Sequence, residues 1–482
     1  VSPRAGSIYD AGLRALGWLA FAGVLATALH DASLAFDGWY YHLPFAARLI
    51  GLVPEGAFVF HPANEARYAG FALLGELLQG VLWRVTGRAE SANLVAFASV
   101  PLVAWFLQKR WRVPFALTLL ALFAVPLVQT HAPSCYVDLP GNAAACVLVL
   151  LVVHAYASDS PVPARDVVLA LVAGAIAANI KPLLQPVVGL GLLAILVRLL
   201  RPAQEPSSRS RARLLALAMV LAAPVVLFTP VKNAILHRNP FYPIGVHLFG
   251  HALPGPEAPY ASSPAWLADS PRPWRFVCSL LEIGIRPLDD PHRWTVDQWM
   301  PDDTMGNRMG GFFGAYVVLL LLTLGYRVAR DRSRLARVSG ATFALFTALI
   351  ACMPQSHELR YYLSWMILLV SLNLVLACRP ESPRFALGPR GLGTIAAVAF
   401  LIVVGSTRGA YAYPGGRSVA DLVRAKVDAK SVERIGEGER VCVRREPFNL
   451  LWTDRFHPPR HYVVQEAEEE ADCRGLREVG AP

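Results

Sequence analysis

The chain has 482 residues, 55% of them hydrophobic and 17% charged, with a formal net charge of +10. Ordinary soluble domains are about 45–50% apolar and about 25% charged, so this composition excludes a soluble globular enzyme and points to an integral membrane protein. The positive charge lies in short runs beside apolar segments, where the positive-inside rule puts it, and this argues against a nucleic-acid partner.

Windows of membrane-spanning length, about 17–25 apolar residues, fall at 14–30, 92–108, 113–130, 140–157, 166–180, 183–200, 213–231, 310–327, 338–354, 360–378 and 392–408. The expectation is about eleven transmembrane helices. A further apolar segment, 69–87, carries Glu76, Gln79 and Arg84, and whether it crosses sets the parity of everything after it. If it does not cross, the basic groups Arg4/Arg14, Lys109/Arg110/Arg112, Arg165, Arg198/Arg201/Arg209/Arg211/Arg213, Arg327/Arg330/Arg332/Arg334/Arg337 and Arg379/Arg384/Arg390 share one side. If it crosses, that agreement collapses. The segment is therefore predicted to lie at the outer interface or to dip into it. Ala26-Thr27-Ala28 fits a signal-peptide cleavage site, but retention of the first helix is the expectation, because multi-span proteins rarely lose it.

That orientation gives the outer side residues 31–91, 131–139, 232–309, 355–359 and the tail 409–482. The predicted fold is an all-α polytopic membrane protein with interfacial helices in the first outer loop and a small α/β C-terminal extracytoplasmic domain. Its modules are 1–408 and 409–482. The tail shows a helical stretch over Val419–Val432 and a strand-like Arg440–Arg444. With about 70 residues it is near the lower limit for an independent core. The 232–309 loop is rich in Pro, Trp and Asp, as lids and binding surfaces are. Seven cysteines form no zinc-ligand spacing. Cys442 and Cys473 both fall in the outer tail, where an oxidising compartment could join them, and the sequence leaves that pairing open.

Acids and bases gather at the outer span ends. Asp37 precedes Gly38-Trp39-Tyr40-Tyr41-His42, and the depth that Trp and Tyr favour would partly desolvate it, raise its pKa and suit it as a general base. From position alone, capping the helix that contains Phe45, Leu49 and Ile50 is the better account. Glu65 sits ahead of the interfacial helix, a commonplace for acids. Asp138 opens a span in Ser134-Cys135-Tyr136-Val137-Asp138-Leu139-Pro140, where an unpartnered charge is expensive, and capping is again the rival account. Lys181, Arg238, and the His357-Glu358-Leu359-Arg360-Tyr361 run place basic groups at the same depth, each alone read more readily as an interface anchor. Their convergence on one surface is what points to a site.

Asp37 leading into Tyr41-His42-Leu43-Pro44, Pro62 with Glu65 beyond it, and Tyr136-Val137-Asp138-Leu139-Pro140 resemble the multi-span GT-C glycosyltransferases. Lys181-Pro182, Asn239-Pro240-Phe241-Tyr242-Pro243 and Arg360-Tyr361 are similar, in the same order, to segments of bacterial members that use polyprenyl-phosphate sugars. The likeness covers residues 10–380 and leaves the tail uncovered. Each motif is short; their order and sidedness carry the specificity.

The resemblance implies a transferase that moves a sugar from a polyprenyl-phosphate carrier to a lipid, glycan or protein acceptor at the extracytoplasmic face of a bacterial inner membrane. It maps the catalytic acid/base onto Asp37, a second acid onto Asp138 and, less securely, a third onto Glu65. His42, Lys181, Arg238, His357, Arg360 and Tyr361 are the candidate substrate-binding residues. Some members of the family bind a divalent cation between such acids and others work without one, so Asp37 and Asp138 are also the candidate metal ligands. A transporter or flippase is the rival from another class. A non-enzymatic assembly protein that acts through its tail is another. A lipid-linked polysaccharide ligase or polymerase, centred on Arg272, Arg275, Arg286, His292 and Arg293 of the large loop, is the rival enzyme.

Overall fold

The computed structural model describes residues 3–201, 206–248, 250–259, 263–298, 308–379, 387–468, 473 and 475–479. Arg384 lies outside the described residues. Among these, seven helices are long and apolar enough to cross a membrane, and the pair Arg209–Val226 and Phe228–His237, bent by 56°, makes eight. The other expected spans coincide with shorter helices: Phe115–Phe123 followed by Pro126–His131, the 17-residue Ala164–Ile180, and the 17-residue Gly314–Arg330. Pro126 divides the first of these, because proline offers no N–H to the preceding turn.

Helices Asp138–Ala157 and Leu363–Ala377 form the centre of the bundle. Every residue of the second is buried, as expected of a helix that is apolar all round. Two hydrogen bonds tie it to its neighbours: Asn373 donates to Leu320 O at 3.1 Å, and the Ser364 amide donates to Asn142 Oδ1 at 2.9 Å.

The basic helix ends are tied to one another by ion pairs. Arg110 pairs with Asp166, Arg334 with Asp159, Arg379 with Asp331 at 3.5 Å and Arg390 with Asp10 at 2.7 Å. These contacts gather the arginine-rich segments at one end of the bundle, the shared side that the charge pattern predicts. Asp138, Lys181 and Arg360 stand at the opposite ends of the helices concerned.

The 69–87 segment forms the 13-residue helix Leu74–Thr86, about 20 Å long, too short for a hydrocarbon layer of about 30 Å. Its polar face points inward: Glu76 and Gln79 are buried, while Leu77, Val81 and Val85 are exposed. Gln79 donates to Cys135 O at 2.6 Å, which ties this helix to the loop before Asp138.

The tail shares its core with the first loop. One four-stranded parallel sheet runs in the order Phe58–Val59, Val463–Ala467, Arg440–Arg444, Arg477–Glu478, with Phe58 opposite Val464 and Val441 opposite Val464 on the other side. Trp39, Phe45, Phe58 and Trp83 pack in one cluster with Val441, Val443, Leu450 and Val464. A segment this small buries too little apolar surface alone, and the first loop supplies the rest. Cys442 and Cys473 form a disulfide with Cα atoms 5.6 Å apart.

Candidate active site

Between the first helix and Leu43–Leu49 the chain makes a helical segment that includes a π-type turn, Gly38–His42. Such turns frequently mark functional positions. A Cβ on Gly38 would overlap the Cys135 sulfur, so glycine is what lets the Asp37 turn lie against the segment that leads into Asp138. Asp37 occupies the N-cap position but its side chain makes no capping hydrogen bond. The carboxylate instead meets Arg360 Nη1 at 3.1 Å, with the guanidinium 2% exposed. Of the two accounts open in the sequence, capping is therefore not the role of this side chain.

Asp138 begins helix Asp138–Ala157, and Lys181 follows the last residue of Ala164–Ile180. Each charge thus sits where the backbone dipole favours it, and Pro182 prevents that helix from continuing past Lys181. The two side chains pair at 2.6 Å, Asp138 being 2% exposed.

Tyr361 joins the two ion pairs. Lys181 Nζ lies 4.3 Å from its ring centroid and the Arg360 guanidinium carbon 4.8 Å, while Arg360 Nη2 donates to the Tyr361 hydroxyl at 3.0 Å. Arg360 also lies 5.4 Å over the Tyr136 ring, against which His131 stacks at 5.2 Å. Beneath them His42 and Glu76 form a buried pair at 2.6 Å, with the His42 ring edge-on to Tyr136.

The electrostatics correct one expectation. Burial alone would push the Asp37 carboxyl up, as the sequence suggests, but Arg360, with His42, Arg308 and Lys181 behind it, holds it below the usual carboxylate value. Burial is the largest single influence, and it is the surrounding cations together, Arg360 foremost, that outweigh it. Asp297 and Glu358 behave oppositely: burial raises both above their ordinary values.

Glu65 and Arg238 stand apart. Glu65 is held by Arg48 at 2.7 Å, whose guanidinium lies 3.6 Å over Phe60 and donates to Phe58 O at 2.9 Å. Among the described residues Glu65 makes no hydrogen bond or ion pair with the Asp37 group. Arg238 is exposed at the end of Phe228–His237, with φ of 55°. His357 is buried beside the cluster, its carbonyl accepting from Ser279 Oγ at 2.6 Å.

Two participants, Arg308 and Asp297, carry no sequence signal that singles them out, and two more, Glu358 and Tyr136, appear in the motifs without a role. Glu358 lies 3.7 Å from both Arg360 and Arg308. The Tyr136 hydroxyl donates to Asp297. Nothing in residue spacing links position 297 to position 36, because the contact joins two long loops. Among the described residues no group of three or more His, Cys, Asp or Glu is placed to hold a metal ion. Asp37 and Asp138 each face a cation already, and a dication between them would be repelled by both Arg360 and Lys181. The residues do not fit a metal bridging these acids.

No family model matches the sequence, and no curated protein does. Among solved structures the chain is similar to ArnT from Cupriavidus metallidurans in the apo state, at 12% identity and a TM-score of 0.56, over 98% of this chain and 90% of that one. It is likewise similar to the same protein bound to undecaprenyl phosphate, at 13% identity and a TM-score of 0.55, over 99% and 90%. At such identity the likeness is one of fold, and it extends over nearly the whole chain, tail included. The chain has an ArnT-like polytopic fold.

Proposed function

We propose that this chain is an integral membrane glycosyltransferase that moves a sugar from a polyprenyl-phosphate carrier to an acceptor hydroxyl at the extracytoplasmic face, with inversion. The observation that carries the reading is the pair of buried ion pairs, Asp37–Arg360 and Asp138–Lys181, joined through Tyr361 in one group. The fold it stands on is shared with a protein solved with undecaprenyl phosphate bound. In this reading residues 1–408 are the catalytic membrane module and 409–482 the extracytoplasmic appendage. Basic segments gathered at one end of the bundle support placing that end in the cytoplasm and the site outside.

Asp37 takes the proton of the acceptor hydroxyl as its oxygen attacks the anomeric carbon from the face opposite the phosphate. The bond from that carbon to the phosphate oxygen breaks, and its electron pair leaves with the polyprenyl phosphate. The leaving group is already a stable anion and needs positive charge more than a proton. Lys181 and Arg360 supply it from a site where both are mostly buried, so their charge acts with little competition from water. Arg360 serves twice. An arriving phosphate competes for its guanidinium, and Asp37 becomes a stronger base as that partner is drawn away. Asp138 holds Lys181 in place. Tyr361 fixes the spacing of the two cations, and His42 braces the floor below Tyr136.

The rival readings draw less support. In the large loop, Arg286 is bound to Asp290 at 2.7 Å, Arg293 to Glu282 at 2.5 Å and Arg275 to Ser270 O at 2.8 Å. Those arginines hold the loop together instead of converging on a polymer site. For a transporter, the bent helix pair breaks at Leu227, whereas the acids of the site, Asp37 and Asp138, stand at helix starts away from that break.

Purified protein given a radiolabelled polyprenyl-phosphate sugar and a membrane extract as acceptor source is expected to transfer label. Asp37→Asn should reduce the rate by about 100- to 10,000-fold with an unchanged melting temperature. Undiminished turnover in that variant would remove Asp37 from the reaction.

A further inference from the structure

The first turn of a helical segment exposes backbone N–H groups that have no intrahelical acceptor. The segment begins at Phe36, and the Asp37 side chain caps none of these amides, being turned toward Arg360. The acceptors come from elsewhere in the chain. The Phe36 amide donates to Asp297 Oδ1 and Oδ2, both at 3.2 Å, and the Asp37 amide donates to the Tyr136 hydroxyl at 3.2 Å. That hydroxyl in turn donates to Asp297. One carboxylate of the large loop therefore holds two successive amides of the catalytic turn, one directly and one through Tyr136.

We propose that Asp297 is the positioning residue for Asp37, capping its turn in trans so that the docked large loop sets where the base stands. This rests on the glycosyl-transfer reading for its consequence in turnover, but its structural content does not depend on it. The geometry gives the half-buried Asp297 carboxylate a role beside another acid: an oxygen acceptor is needed there, and a charged carboxylate accepts from a backbone N–H more strongly than a neutral side chain would. It also explains how Asp37 can spend its own carboxylate on Arg360 without leaving its helix end unsatisfied.

The test uses the full-length protein in detergent or nanodiscs. Asp297→Ala is expected to lower kcat by about 100-fold, the scale of a small misplacement of a reacting group, with donor KM unchanged because Lys181 and Arg360 remain. Asp297→Asn keeps an accepting oxygen and should recover to within about 10-fold of wild type, whereas Asp297→Leu, which fills the space without an acceptor, should stay as low as Asp297→Ala. Tyr136→Phe combined with Asp297→Ala should cost less than the sum of the two, since both act on one turn. Amide hydrogen exchange supplies a readout independent of catalysis: Asp297→Ala should lose protection in the peptide spanning Phe36 and Asp37 while the central helices keep theirs. Unchanged protection there overturns the proposal, whether or not the protein transfers sugar. Lost protection with no wild-type transfer supports the capping role and tells against the function instead. Equal kcat losses for Asn and Ala also overturn it.

Discussion

Arg360 is the residue on which the others depend. Its guanidinium meets Asp37 at 3.1 Å, lies 3.7 Å from Glu358 and donates to the Tyr361 hydroxyl at 3.0 Å. A carboxylate whose pKa is held down keeps its charged, basic form to lower pH than a free one. The acid limb of a kcat/KM profile, which reports the free enzyme, should therefore lie below about 3.9, the ordinary Asp value. In Arg360→Met the largest lowering influence is gone and burial pushes upward unopposed by it, so the acid limb should move to higher pH while donor KM rises. A limb that stays in place would mean that the guanidinium does not govern the charge of Asp37. Gly38 invites a second measurement. Gly38→Ala places a methyl group on the Cys135 sulfur, and overpacking of this kind costs about 1–3 kcal/mol. Cys135→Ala removes the sulfur and leaves the new methyl 3.8 Å from the remaining Cβ, so the double variant should regain the melting temperature that the single one loses. A double variant no better than Gly38→Ala alone would count against this contact as the reason for glycine. Asp37, Asp138, Lys181, Arg360 and Tyr361 are legible in the sequence because each stands at a span end, where a charge or aromatic group needs a reason. Asp297 is not, since a polar residue in a polar loop is unremarkable until its partner is known.

At the scale of elements, the first loop and the tail are one structure. Strand Phe58–Val59 is two residues long, too short to show an alternating pattern, and its partner Val463–Ala467 lies some four hundred positions later, with Phe58 paired to Val464. The sequence therefore shows a helix and a strand in the tail but not what covers them. A buried carboxylate fastens the seam. Glu466 accepts from the His61 amide at 3.2 Å and from Asn64 Nδ2 at 3.0 Å, both in the first loop, and from Asn449 Nδ2 in the tail at 3.4 Å. Arg445 of the tail, 3.2 Å from Asn64 Oδ1, also lies 5.2 Å over the ring of Tyr40, within the π-type turn. Removing the carboxylate leaves buried donors without an acceptor, each costing about 1–3 kcal/mol. Glu466→Ala should accordingly make the tail and the 58–64 segment more susceptible to limited proteolysis together. Cleavage that increases in the tail alone would show the two elements to be separable. The inward polar face of Leu74–Thr86 has the same logic in reverse: its exposed Leu77, Val81 and Val85 read as a span in a hydropathy window, and only Glu76 and Gln79 reveal that this helix stays at one end.

Across the whole molecule, charge placement and helix direction agree. Ion pairs such as Arg390–Asp10 and Arg379–Asp331 knit one end of the bundle, while Asp37, Asp138, Lys181 and Arg360 gather at the other ends of the same helices. The parity argument over the 69–87 segment anticipates this sidedness, because the cost of translocating arginine accumulates over every basic run and a single misassigned crossing would scatter them. Hydropathy is less informative about number: Ala164–Ile180 and Gly314–Arg330, at 17 residues, are shorter than the spans of 19 and 20 residues beside them, and Phe115–Phe123 is half of one. Compartment is a separate matter from sidedness, and labelling decides it. With Cys352 and Cys378 changed to serine, a cysteine at Lys430, exposed in the tail helix Ala429–Glu433, should react in intact cells with a maleimide that cannot cross the membrane in which the protein sits. A cysteine at Arg332, exposed in the turn between Gly314–Arg330 and Arg334–Cys352, should react only after that membrane is permeabilised. The reverse pattern would put the ion-pair site in the cytoplasm, where a lipid-linked donor facing outward could not reach it. Labelling of both positions in intact cells would place the arginine-rich end outside, against the direction in which basic segments resist translocation.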